Sequence, residues 1–126
     1  MDVHVVSSPD APKAVGPYSQ AIRAGDFIFC AGQAGFDSAT GKIVEGGIRA
    51  QTAQTLRNLD TILKAAGSGL NRVVKVTVFL HDWTYFKEMN ETYAEFFKEN
   101  PPARSTVKGE RWPKGSLVAM EAIAVI

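Results

Sequence analysis

The stretch that decides the fold is Val73-Val74-Lys75-Val76-Thr77-Val78-Phe79-Leu80, within a chain of 126 residues. Its many β-branched residues predict a strand. Alternation places Val74, Val76, Val78 and Leu80 on one face of this strand and Val73 and Phe79 on the other. A half-solvated antiparallel sheet has one polar face. Because this strand has none, we expect the sheet to be covered on both sides.

The segments around this strand predict one α+β domain over residues 1–126. Apolar residues recur at three- and four-residue steps from about Gly47 to Ala66 and from about Thr84 to Lys98, which predicts two helices. The core face of the second helix is predicted to hold Phe86, Met89, Tyr93, Phe96 and Phe97. Further strands are predicted at Val3–Val6, Ser19–Ala24, Phe27–Ala31, Arg104–Lys108 and Leu117–Ile126.

Two helices suffice to cover only one face of such a sheet. The last strand, Leu117–Ile126, is also apolar on both faces. The second face therefore needs a cover that the chain itself does not supply, and we infer a homo-oligomer built on that face. Clefts between its subunits are the natural places for a ligand.

Composition narrows the function classes. Lysine and arginine number 14 and aspartate and glutamate 13, for a net charge of +1. This balance argues against a general binder of nucleic-acid backbones, which needs a concentrated basic face. The nearest basic cluster is Lys108, Arg111 and Lys114 around Trp112, which we interpret as a solvated hairpin because Glu110 interrupts it.

The cysteine count and hydropathy indicate a cytoplasmic protein. Cys30 is the only cysteine, so no internal disulfide forms, and its apolar surroundings predict a small buried hydrophobe rather than a nucleophile. No signal peptide opens the chain, and no run of eighteen apolar residues suggests a membrane span.

Metal and cofactor chemistry find no support in the sequence. The two histidines, His4 and His81, lie far apart, and no Cys or His pair has ligand spacing. No glycine-rich phosphate loop follows a strand, and no serine–histidine–aspartate arrangement is indicated. We therefore expect no metal and no cofactor.

Two charges stand in otherwise apolar or small-residue strands: Arg104 and Glu121. One interpretation pairs them with each other, or with neighbours, as a structural ion pair. The other reserves Arg104 for the carboxylate of a ligand in an inter-subunit cleft, because a buried arginine is almost never left without an anion. Spacing alone leaves both open.

Five motifs resemble one known family. They are Gly16-Pro17-Tyr18-Ser19-Gln20, Ala31-Gly32-Gln33, Asn90-Glu91-Thr92-Tyr93, Pro102-Ala103-Arg104-Ser105 and Met120-Glu121-Ala122-Ile123-Ala124-Val125. In order and spacing they are similar to the RidA (YjgF/YER057c/UK114) family of reactive enamine and imine deaminases, over about residues 11–125. The resemblance implies a chorismate-mutase-like mixed sheet with two helices on one face, and a homotrimer whose barrel is formed by the open sheet faces.

The resemblance also implies a reaction and a site. Members hydrolyse 2-imino or 2-enamino acids to 2-keto acids and ammonia without a cofactor. By resemblance, Arg104 binds the substrate carboxylate as the central catalytic residue. The pocket roles fall to Tyr18, Asn90 and backbone groups near Ala31, Gly32 and Thr106.

One departure bears on catalysis. By resemblance, members usually carry a glutamate two residues before Glu121 that positions or activates the attacking water, and this chain has Ala119 there. Glu121 or Glu110 could supply an acid–base group instead. Thr106, where many members carry cysteine, is a mild difference because its backbone can serve unchanged.

The function expected from the sequence is therefore deamination of small 2-imino carboxylates by a homotrimer. The alternative is a non-catalytic binder or sensor of small carboxylates, which Ala119 favours. Ribonuclease or translation-inhibitor roles, also attributed to the family, are the weakest option, because charge is balanced and no aromatic stacking platform is evident.

Overall fold

The computed structural model describes residues 1–110, 113 and 115–126. Over these residues the chain forms an α+β domain, as predicted. Its elements are β1 (Val3–Val6), β2 (Ala21–Ala24), β3 (Phe27–Ala34), α1 (Gly47–Ala65), β4 (Val73–Leu80), α2 (Phe86–Phe96), β5 (Ala103–Lys108) and β6 (Val118–Val125). Short 3-10 turns at Leu70–Arg72 and Trp83–Tyr85 precede β4 and α2.

The strands form one mixed sheet in the order β1-β2-β3-β6-β4-β5. The β4 and β5 strands pair in parallel, with α2 connecting them, and the other neighbours are antiparallel. The last strand in the chain, β6, therefore lies in the middle of the sheet, between β3 and β4. The β5 strand is an edge.

Helix α1 packs on the sheet and ends where predicted. Its core residues Leu56, Leu59 and Leu63 are fully buried against one face of the sheet. After Ala65 the chain turns through Gly67 at φ 82°, a left-handed conformation that glycine adopts without steric cost. Backbone hydrogen bonds from Gly67 and Ser68 back to the last helical carbonyls close the turn.

One prediction about the faces of β4 is wrong. Val73 lies on the buried, helix-covered face with Val76, Val78 and Leu80, and Val74 is exposed. The reason is a register shift: Val73 pairs with Ala124 and Lys75 with Ile123, so that Val74 is an extra residue in the ladder. Such a bulge shifts the alternation by one position, which periodicity alone does not predict.

The face of the sheet away from the helices exposes apolar side chains, as predicted, but it also carries Lys75, Thr77 and Glu121. Phe27 and Phe29 on β3 are each 45% exposed, and their ring centroids lie 6.4 Å apart. Val5 on β1 and Val107 on β5 are also exposed. We call this surface the open face.

Candidate functional site

Arg104 lies on the edge strand β5, on the helix-covered side of the sheet. It pairs with Val76, a fully buried residue of that side, and paired residues of neighbouring strands share a face. The guanidinium lies over two aromatic rings of α2: its Cζ atom is 4.8 Å from the centroid of Tyr93 and 5.9 Å from that of Phe86. Both distances are within the range of a cation–π interaction.

No carboxylate among residues 1–110, 113 and 115–126 pairs with Arg104. The ion pairs of these residues join Arg49 to Glu88 and Glu91, Lys64 to Asp60 and Lys108 to Asp82. The structural ion pair between Arg104 and Glu121, one of the two interpretations above, is therefore wrong for a single chain. Glu121 pairs with Thr77, the residue after Val76, and so belongs to the opposite face.

The stripe of α2 that faces Arg104 also carries Asn90. Phe86, Asn90 and Tyr93 recur at four- and three-residue steps, so they share one side of the helix. The Oδ1 atom of Asn90 and the hydroxyl of Tyr93 are buried with no hydrogen-bond partner in the described chain. Because buried polar atoms are nearly always satisfied, these two atoms are exceptions among the described residues.

Burial also affects the ionisation of Tyr93. Tyr93 is 5% exposed, and desolvation raises the pKa of its hydroxyl to about 12, against the opposing charge of Arg104. At neutral pH the hydroxyl is therefore a neutral donor. Thr106 completes the group from β5, because it pairs with Val78 and lies on the same face as Arg104.

Arg104, Asn90 and Thr106 border the space between β5 and α2, which we call the groove. The turn before α2 is tied to β5 at one end of this groove. Asp82 caps it by accepting a hydrogen bond from the Thr84 amide at 2.9 Å, and its other oxygen lies 3.8 Å from the ammonium of Lys108. The bonds to Thr84, and then the charge of Lys108, hold the pKa of Asp82 below its usual value.

A second group of predicted residues meets on the open face. Cys30 pairs with Ala122 and Gln33 with Met120, so that Ala31 and Gly32 together oppose Glu121. The bulge leaves Gly32 exposed, with no atom within 4 Å of the place where a Cβ would stand. The Ala31 amide already donates to the Gln20 carbonyl at 2.9 Å.

Tyr18 lies near the same end of β3. It is two residues before Gln20, whose carbonyl binds the Ala31 amide, and its ring is about half exposed. Its hydroxyl accepts a hydrogen bond from the Val15 amide at 3.3 Å. That bond closes the loop around Gly16 and fixes the ring.

Glu121 lines a cleft of about 300 Å³ on the open face. Phe29, Lys75, Thr77 and Ile123 form its walls, with Cys30 and Ala122. Lys75 donates to the Ser105 hydroxyl at 3.0 Å, and Glu121 itself is exposed. Ala119, two residues earlier on the same face, is only 7% exposed, between Ala34 and Phe79 in the ladder.

The predicted site residues therefore form two groups. Arg104, Asn90 and Thr106 meet in the groove between β5 and α2, whereas Ala31, Gly32, Glu121 and Tyr18 belong to the other group. One chain does not bring the two groups together, because the sheet separates Arg104 from Glu121. Arg104 lines neither the cleft on the open face nor a cleft of about 360 Å³ near Phe96 and Asn100, which holds none of the predicted site residues.

Three residues of the groove were not predicted as site residues. Tyr93 and Phe86 were assigned to the core face of α2, and Trp83 to no role. Phe86 is 37% exposed and contacts Arg104, so its assignment to the core is wrong. The signal was in the sequence: Phe86 shares the Asn90–Tyr93 stripe, whereas Met89 and Thr92 form the buried stripe beside it.

The described residues give little support to a cysteine nucleophile, a metal site or a membrane span. Burial raises the pKa of the Cys30 thiol to about 12, so Cys30 is a buried thiol, as predicted. Within the described ranges, no three His, Cys, Asp or Glu side chains are grouped to hold a metal ion. No helix of these residues is both long and apolar enough to cross a bilayer. The predicted basic hairpin around Trp112 lies largely outside the described residues, and Glu110 is exposed.

Comparison with known protein families matches residues 8–126 to the family described as Endoribonuclease L-PSP. The chain belongs to this family. Among relatives of the family, a RutC family protein of Pyrococcus horikoshii is 54% identical over 95% of both chains. The human 2-iminobutanoate/2-iminopropanoate deaminase is 44% identical over 96% of this chain and 88% of its own.

Solved structures of the family share the fold closely. RidA from an Antarctic Psychrobacter has a TM-score of 0.93 and 40% identity, covering 98% of this chain and 99% of its own. Escherichia coli TdcF with bound serine has a TM-score of 0.92 and 35% identity, covering 98% of this chain and of its own. The resemblance to the RidA family is therefore confirmed, and so is the mixed sheet with two helices.

Proposed function

We propose that the chain is a deaminase that hydrolyses reactive 2-imino and 2-enamino acids to 2-keto acids and ammonia. The observation that carries this proposal is Arg104, whose guanidinium is stacked on Tyr93 at a sheet edge with no carboxylate of the described chain against it. An arginine held in this way suits bidentate binding of a carboxylate. The deaminase name of the human relative and the serine bound to TdcF support a small amino-acid-like ligand.

The site is completed between subunits of a homotrimer. The groove of one subunit supplies Arg104, Asn90 and Thr106, and the open face of its neighbour supplies Glu121, Tyr18 and the Ala31–Gly32 bulge. Two features support this arrangement: Arg104 and Glu121 lie on opposite faces of one sheet, and the open face exposes apolar side chains such as Phe27 and Phe29. Large exposed apolar patches mark association surfaces.

Glu121 is the acid–base group of this proposal. It takes a proton from a water whose oxygen attacks the imine carbon, and gives that proton to the nitrogen. The tetrahedral intermediate then gives its hydroxyl proton to Glu121, which passes it to the amine, and ammonia leaves as the ketone forms. Asn90, which shares one side of α2 with Tyr93, lines the pocket beside Arg104.

With Ala119 in place of the usual glutamate, Glu121 is the carboxylate that lines the open-face cleft. Position 119 is almost fully buried, whereas Glu121 is exposed and lines the open-face cleft. A general acid–base group contributes typically about 10²- to 10⁴-fold. The effect of substituting Glu121 on the rate of hydrolysis therefore distinguishes a deaminase from a non-catalytic carboxylate binder.

The test is release of keto acid from imines generated in situ by an amino-acid oxidase. Wild type is compared with Arg104→Ala and with Arg104→Lys, which keeps the charge but not the fork of donors. Acceleration by wild type that falls strongly in both variants supports the deaminase. Binding of 2-oxobutanoate to wild type without any acceleration supports the carboxylate binder instead.

A further inference from the structure

An exposed pair of aromatic rings borders Arg104. Trp83 is 51% exposed and Phe86 37% exposed, and their ring centroids lie 5.8 Å apart in an edge-to-face arrangement. Phe86 also lies 5.9 Å from the Arg104 Cζ atom. The guanidinium is thus flanked by the buried ring of Tyr93 and by an aromatic surface that reaches solvent.

The distances place this pair within reach of any carboxylate ligand on Arg104. In a bidentate pair the carboxylate carbon lies about 4 Å from Cζ. The side chain of a 2-imino acid begins two bonds beyond that carbon. A side chain of three or more carbons directed along α2 therefore contacts Phe86, and a larger one contacts Trp83.

The pair is held in place before any ligand binds. Trp83 belongs to the 3-10 turn that Asp82 caps, and Asp82 is also paired with Lys108 of β5. Phe86 is the first residue of α2. The rings and Arg104 are therefore fixed by the same two elements, and preorganised surfaces lose less entropy on binding.

We propose that Trp83 and Phe86 form a subsite for the apolar side chain of the bound 2-imino acid. The preferred substrates are then imines derived from amino acids with branched or aromatic side chains, rather than those derived from alanine. This assignment rests on the proposed function for the role of Arg104, and adds to it the class of side chain that the site selects.

The experiment measures selectivity rather than activity. The kcat/KM for keto-acid release is measured with the phenylalanine-, leucine- and alanine-derived imines. We expect Trp83→Ala to lower the ratio of the phenylalanine- to the alanine-derived substrate about fivefold, since an aromatic pair contributes to that extent. Trp83→Phe is expected to restore most of the ratio. The alanine-derived imine is expected to lose less kcat/KM than the phenylalanine-derived imine in both variants.

Phe96→Leu is the matched control. It removes an aromatic ring of α2 that lies under Arg57, 6.0 Å from its Cζ atom, rather than under Arg104. Its selectivity is expected to equal that of wild type. An unchanged ratio in Trp83→Ala, or an equal loss for all three substrates, overturns the subsite. A changed oligomeric state in Trp83→Ala overturns it as well, because the pair is then a subunit contact.

A parallel binding measurement separates this inference from the deaminase proposal. Dissociation constants of 3-phenyl-2-oxopropanoate and 2-oxopropanoate are compared in wild type and Trp83→Ala. A preference for the phenyl compound that Trp83→Ala abolishes supports the subsite even if no imine is hydrolysed, in which case only the deaminase fails. Turnover of imines with no such preference leaves the deaminase standing and overturns the subsite. Absence of binding of either acid to wild type overturns it too.

Discussion

The stacking of Arg104 on Tyr93 leads to a prediction that separates the ring of Tyr93 from its hydroxyl. Tyr93→Leu removes the aromatic face 4.8 Å from the Arg104 Cζ atom, whereas Tyr93→Phe keeps it. A cation–π interaction of a partly desolvated arginine contributes about 1–2 kcal/mol, which corresponds to about 5- to 30-fold in a dissociation constant. Because the stacking is present before ligand binds, it acts by positioning Arg104, so we expect Tyr93→Leu to weaken 2-oxobutanoate binding by up to this factor and Tyr93→Phe to change it less than about twofold.

Stability of the same variants provides a second measurement. The Tyr93 hydroxyl is buried without a partner in the described chain, and such a group costs about 1–3 kcal/mol. Tyr93→Phe is therefore expected to be at least as stable as wild type in urea denaturation. Tyr93→Leu is expected to be less stable, because the ring is almost fully buried.

Calorimetric titration with 2-oxobutanoate checks the binding prediction. Phe96→Leu is the control, because Phe96 lies on the same helix under another arginine, Arg57, at 6.0 Å, and its loss is expected to leave the dissociation constant unchanged. Equal weakening by Tyr93→Phe and Tyr93→Leu would refute the role of the ring and assign binding to the hydroxyl. Wild-type affinity in Tyr93→Leu would refute the positioning of Arg104 by stacking.

Three further predictions concern other parts of the molecule. Glu121→Gln is expected to lower kcat for imine hydrolysis about 10²- to 10⁴-fold with little change in keto-acid affinity; an unchanged kcat in a stopped assay would remove Glu121 from the chemistry. Gly35→Ala is expected to lower the free energy of unfolding by about 1–3 kcal/mol, because its Cβ would stand 2.9 Å from the Gln51 Cα. Gly32→Ala, which meets open space, is the matched control, and equal urea midpoints for the two would contradict this packing argument. Burial raises the pKa of the Cys30 thiol from 9.0 to about 12, so above pH 9 the unfolded chain has lost a proton that the folded chain keeps, and stability falls as pH rises by up to about 1.4 kcal/mol per unit. Denaturation curves between pH 9 and 10 should show this slope in wild type and a shallower one in Cys30→Ala, and identical slopes would refute it.

Local patterns predicted the elements of the fold well. The bounds of β4 are as predicted, because its many β-branched residues have a high propensity for strands. The spacing of apolar residues predicted that α1 begins near Gly47, as it does. The turn after the helix lies at Gly67, where the φ angle is positive and glycine is favoured. The second helix was predicted from Thr84, but its first turn is a 3-10 turn, because Asp82 directs the Thr84 amide to its own side chain.

The arrangement of the candidate site depended on information that no single segment contains. Whether Arg104 and Glu121 share a face is set by which residues of β4 they pair with, and that register is not readable from β5 or β6 alone. The β4 bulge, which exchanges the faces of Val73 and Val74, is equally a property of two strands. Phe86, by contrast, was assigned to the core although its position on the same side of α2 as Asn90 was readable from the sequence.

The central place of β6 has a consequence for how the protein is made. Val118–Val125 follows every other described strand along the chain, yet it is the only described strand that joins β3 to β4. A nascent chain ending before it holds two half-sheets, β1–β3 and β4–β5, with no backbone ladder between them. The native sheet therefore forms only after β6 has been synthesised, and its pairing across long sequence separations makes that step slow. Until then both half-sheets expose strand edges that β6 later covers, and such unpaired edges favour aggregation.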